Sequence, residues 1–132
     1  MQYIGKLDIE KLGKYNEKLV TDEVVLTDER LYNHILIYHK KKYEQLKKYI
    51  KDIIQEPDYI IEDNRHADTM IYLKQIQEIT KKGRVVIKLA LGYDKEHCKN
   101  SIITLMKLND RTWEQTIKNR GKIVWKKLDK NE

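Results

Sequence analysis

The spacing of apolar and polar residues changes character at Pro57. Before it, apolar positions recur at the helical period; after it they alternate. Thr27 is the expected N-cap of a first helix over residues 27–42, with Asp28 and Glu29 where the positive end of the helix dipole favours acid. Leu31, Ile35 and Tyr38 form its stripe. At 3.6 residues per turn His34 and His39 fall on either side of that stripe, about 140° apart. A second helix is expected over 43–55, striped by Tyr43, Leu46, Ile50, Ile53 and Ile54 and stopped by Pro57.

Beyond Pro57 the pattern predicts strands at 59–61, 69–76, 85–91, 101–108 and 123–128. In the second of these, Ile71 and Leu73 share one face, and Met70, Tyr72 and Lys74 the other. In the third, Val85, Ile87, Leu89 and Leu91 oppose Arg84, Val86 and Lys88. Residues 110–119 read as a short helix carrying Trp113 and Ile117. Upstream, 23–26 reads as a brief strand and Tyr3-Ile4 as another, while Gly13 weakens a helix-forming stretch over 8–18. Helices first and strands afterwards predict an α+β fold with a mostly antiparallel sheet. One face packs on helices; the other is expected to carry Lys74, Arg84 and Lys88.

With 132 residues, 5 Gly and 1 Pro, nothing divides the chain, so residues 1–132 are read as one domain. The lone cysteine, Cys98, excludes an internal disulfide and a multi-cysteine zinc site. No long apolar run predicts a membrane span, and the opening residues do not read as a signal peptide, so a cytoplasmic protein without a membrane partner is expected. The net charge of +6 is concentrated. Residues 81–132 carry 14 basic and 6 acidic side chains, whereas residues 31–80 are balanced and residues 1–30 slightly acidic. A polyanion is the natural partner for such a half, nucleic acid first.

The candidate chemistry is narrow. His34 and His39 lack the spacing of a zinc helix, but at the margins of a stripe they can reach the seam between helix and sheet. Lys88 and Lys74, in mid-strand, are cations held more rigidly than on a loop. Asn100, Ser101 and Thr104 place small polar groups on an apolar strand, and Trp125 beside Lys126 and Lys127 suits a base-stacking, phosphate-holding surface. Arg65 and His66, in a turn-like stretch, are weaker phosphate contacts, and His97-Cys98 a weak metal site. A Gly-rich phosphate loop, a serine nucleophile elbow and a carboxylate cluster are all lacking, so no metal or cofactor is expected. Imidazoles, cations and hydroxyls suit RNA cleavage, where the neighbouring 2′-OH is the nucleophile.

Several motifs occur in a telling order. They are Val25-Leu26-Thr27-Asp28-Glu29-Arg30, His34-Ile35 with His39, and Glu56-Pro57-Asp58-Tyr59-Ile60-Ile61-Glu62. A strand ending in lysine, Asn100-Ser101-Ile102-Ile103-Thr104 and a closing strand with Lys126 follow. This order, over about residues 4–127, resembles the phage-associated nucleases of the barnase–EndoU–colicin–RelE-like (BECR) group. The resemblance implies N-terminal helices packed on a roughly four-stranded, mostly antiparallel sheet and a metal-independent ribonuclease. It carries over His34, His39, Lys88, Ser101, Thr104 and Lys126 as catalytic candidates, and Asp58 and Tyr59 as substrate-binding ones. Lys74, Arg84 and Trp125 join the latter from the basic sheet. RNA is the expected partner, with an immunity protein or a phage structural protein as further candidates. The alternative is a non-catalytic RNA-binding or interaction module.

Overall fold

A computed structural model describes residues 1–92 and 99–128; the His97-Cys98 pair lies outside the described residues. Strands β1 (Gln2–Lys6), β2 (Glu23–Leu26), β3 (Tyr59–Asp63), β4 (Thr69–Ile76), β5 (Lys81–Lys88), β6 (Asn100–Leu108) and β7 (Gly121–Lys126) form one sheet, ordered β1-β2-β6-β5-β4-β3-β7. All pairings are antiparallel except β2 with β6. The architecture is mixed α+β, but with seven strands rather than about four. The pattern after Pro57 accounts for five of them and the brief stretches at Tyr3-Ile4 and 23–26 for the other two, which join the sheet through a parallel pairing that local sequence does not signal.

The helical run over residues 28–55 is a chain of segments, not two helices broken near residue 42. Thr27 accepts a hydrogen bond from the Arg30 N–H (3.1 Å), starting α1 (Asp28–Arg30). A π-helical stretch, Leu31–Ile35, follows; then come α2 (Leu36–Leu46), a 3₁₀ turn and α3 (Ile50–Gln55), which ends ahead of Pro57. The stretch Ile9–Lys18 is 3₁₀, kinked at Gly13, whose φ of 57° a side chain would resist.

Leu46, Ile50, Ile53 and Ile54 share one buried cluster with Met70, Tyr72, Val85 and Ile87. Gly83 marks the closest approach: a side chain there would meet Ile53 Cδ1 at 2.9 Å. Each fully buried aliphatic side chain contributes roughly 1.5–3 kcal/mol. The opposite face is not bare. Helix α4 (Asp110–Asn119) lies across it, and its Trp113 joins Ile61, Ile71, Leu73, Val86 and Leu108 in a second cluster. Strand β4 is therefore buried on both faces from Thr69 to Leu73. Among the described residues no helix is long and apolar enough to cross a membrane.

Asn100 holds the parallel join. Its side chain is wholly buried, accepts from the Ala90 N–H (2.8 Å), and donates to the Thr21 and Glu23 carbonyls (2.9 and 3.0 Å). Replacing it with alanine orphans three backbone groups. A loss of about 2–4 kcal/mol is expected, seen as a lower urea midpoint. A midpoint unchanged from the parent protein contradicts this structural role.

Candidate active site

Strand β6 pairs with β2 only through Asn100 and Ser101, so from Ile102 onward its outer edge lacks a strand. The helical run lies against it there, which satisfies the need to cover a free edge. In this run the π turn changes the histidine geometry. The Leu36 N–H bonds to the Leu31 carbonyl, five residues back, and His39 departs from helical backbone (φ −139°, ψ 28°). The widened turn and the kink bring residues five apart onto one side. His34 and His39 meet edge to face with ring centroids 5.9 Å apart, correcting the 140° separation of a regular helix. Tyr38 stands beside them, 5.5 Å from the His34 ring.

Arg84 projects from β5 toward the same place. It pairs with Met106 across the strands, and its Nη2 lies against Met106 Sδ. Its Nε and the Thr104 hydroxyl are buried without a hydrogen-bond partner. Buried donors left unpaired are uncommon and costly, and they gather where a ligand or a reaction supplies the partner. The His39 pKa is pushed below its usual 6.5 by burial first, then by the charges of Lys42, His34 and Arg84. His39 is therefore biased toward the neutral form, which accepts a proton. Arg84 is itself lowered by burial and by the nearby Arg120 charge, against the pull of Asp63, but a guanidinium stays charged.

Above Arg84, Lys88 pairs with Ser101 on one side and Thr69 on the other. Extending the β3–β4 register by one residue sets Asp63 opposite Thr69. Asp63 is only 1% exposed and accepts from the Arg65 N–H (2.9 Å), from His66 Nδ1 (3.2 Å) and from Arg120 Nη2 (3.3 Å). Burial alone would raise its pKa; these three bonds more than offset that and hold the carboxyl below its ordinary range.

Asp58, Tyr59, Lys74 and Lys126 gather elsewhere, with Trp113, around a cleft of about 760 Å³ at the far end of β3. Lys126 lies over the Tyr59 ring (5.8 Å), and Trp113 meets that ring edge-on (6.1 Å). The Asp58 carboxylate is engaged by the Gln75 N–H (2.7 Å). Among the described residues no group of three or more His, Cys, Asp or Glu is placed to hold a metal ion.

Residues 2–126 match the phage-Barnase-EndoU-ColicinE5/D-RelE like nuclease 2 family. The chain belongs to this family. No curated protein and no solved structure matches it.

In this nuclease-family domain the residues singled out from sequence fall into separate groups. His34, His39 and Arg84 gather beside the β6 edge, and Thr104 lies on β6 two residues from Met106, the partner of Arg84. Lys88, with Ser101 opposite it on β6, sits four residues further along β5, about 13 Å of strand. Lys126 is three strands from β5, about 14 Å away. Lys74 does not share a face with Arg84 and Lys88 as expected. It pairs with Gly83, on the face where Ile53 packs, and its ammonium donates to the Glu56 carbonyl (2.7 Å). Two buried faces on β4 mean that alternation there does not mark which side is wet. Trp125 packs against the main core cluster beneath Lys11, 4.7 Å from its ring centre. Asp63 and Arg120 went unnoticed in the sequence. They lie 57 residues apart, and no local pattern links them.

Proposed function

We propose that the domain is an endoribonuclease that cleaves RNA by attack of a 2′-OH on the adjacent phosphate, giving a 2′,3′-cyclic phosphate and a free 5′-OH. The contact between His34 and His39 beside Arg84 carries this reading. His39, biased toward the neutral form, takes the 2′-OH proton. The new P–O2′ bond forms, the P–O5′ bond breaks, and His34 gives a proton to the departing 5′ oxygen. Arg84 offers charge-assisted donors to the phosphorane, and the Thr104 hydroxyl a further one. Lys88 and Ser101 serve the backbone further along β5. The cleft of Tyr59, Trp113 and Lys126 takes a flanking base and phosphate. Because the nucleophile belongs to the substrate, the chemistry requires no metal.

Purified protein incubated with mixed RNAs in excess EDTA should release fragments ending in cyclic phosphate, and a single 2′-deoxy substitution should block its own site. Cleavage that needs added metal, or that cuts DNA equally, overturns the mechanism. Salt-dependent RNA binding without products at high protein concentration favours the non-catalytic binding module instead.

A further inference from the structure

The Asp63 cluster takes no part in that reaction, yet it is built like a site rather than a surface ion pair. A buried carboxylate is used to fix two side chains at once, Arg120 from the end of α4 and His66 from the β3–β4 hairpin. Each is left with donors to spare. Arg120 gives one of its five N–H groups to Asp63, and its Nε has no partner. His66 is held through Nδ1 while the residue's side chain is 68% exposed, which leaves Nε2 toward solvent.

Lys88 and Arg84 share this side of the sheet. Lys88 stands in the cross-strand row of Thr69, about 10 Å or two strand spacings from Asp63. Arg84 lies close enough to Arg120 to feel its repulsion. Guanidinium groups held near one another are a liability alone and an asset once an anion lies among them. The β6 edge, where His39 sits, is three strands from Asp63, about 14 Å. One phosphate cannot touch both ends of that span.

We infer that Arg120 and His66, fixed by Asp63 and joined by Lys88, form a second phosphate site, which grips an RNA backbone phosphate other than the one being cut. The inference rests on the ribonuclease reading for the identity of its ligand, and it makes that reading more specific. The substrate is a strand that lies across the sheet from the histidine helix toward the β3–β4 hairpin, held at more than one phosphate.

The test is affinity as a function of length. A 2′-O-methyl dinucleotide has one phosphate, and a 2′-O-methyl tetranucleotide has phosphates on either side of it; neither can be cleaved by 2′-OH attack. The parent protein should bind the tetranucleotide at least tenfold more tightly, the scale of one or two charge-assisted hydrogen bonds. In His66→Gln that gain should fall at least threefold, with binding of the dinucleotide within about twofold of the parent. Glutamine at 66 retains a donor for Asp63, so thermal melting should stay close to that of the parent. Arg120→Lys should retain part of the gain, since it keeps charge but loses the fork. The same length gain in the variants, or none in the parent protein, overturns the second site. Failure of the ribonuclease reading shows separately, as an intact 2′-OH tetranucleotide after incubation with a protein that still displays the gain.

Discussion

Replacing His39 with alanine is expected to lower kcat/KM for RNA cleavage by about 10²–10⁴, the usual contribution of a positioned general base. The fold should tolerate the change, because His39 is only partly buried. The pH profile separates this role from mere positioning. Burial, Lys42, His34 and Arg84 all lower the His39 pKa, so its proton-accepting form persists below pH 6.5. Activity should be retained as pH falls through 6.5 and decline only once the depressed pKa is crossed. Adding salt screens the neighbouring cations and should move that limb upward. In His39→Ala the limb should disappear with the activity. A variant that retains more than a tenth of parent activity removes His39 from the chemistry.

Gly121→Ala should be among the most destabilising single changes in the chain. A Cβ at this position would sit 1.8 Å from the Glu62 carbonyl oxygen and 3.2 Å from the Asn64 nitrogen, both of them backbone. No rotamer relieves a clash with main chain, so β7 must leave β3 at the point where Gly121 faces Asp63. The neighbouring bond from the Asn64 N–H to the Arg120 carbonyl (2.9 Å) would be disturbed as well. A loss of about 3 kcal/mol or more follows, a Tm drop of roughly 10 °C in a domain of this size. A drop below about 2 °C would mean that the strands can part there at little cost. Because Arg120 immediately precedes Gly121, tetranucleotide binding should fall together with stability.

The sequence-based reading succeeded where short-range physics decides. Thr27 caps its helix because a hydroxyl three residues ahead of Arg30 can accept from its otherwise free N–H. Strand β4 over 69–76 and helix α4 over 110–119 match the expected bounds, since each carries an unbroken period. The order of motifs along the chain pointed to a phage-associated nuclease family, and the family match over residues 2–126 bears that out. The candidate site was legible only in part. His34 and His39 were singled out and meet ring to ring, whereas Lys126, Trp125 and Lys74 were singled out for the same surface and lie apart from it.

By itself, then, the sequence determined which stretches are helical and which extended, the Thr27 cap, the family and the concentration of positive charge in residues 81–132. Those depend on neighbours within a turn or two, or on residue order alone. The tertiary structure alone decided how the groups meet. A π turn rotates His34 onto His39, the β4–β5 register sets Lys74 on the opposite face from Arg84, and a carboxylate on β3 takes hold of an arginine 57 residues later. Each depends on backbone irregularity or on packing between distant segments. The free energies involved, a few kcal/mol each, are settled only when the whole chain is in place.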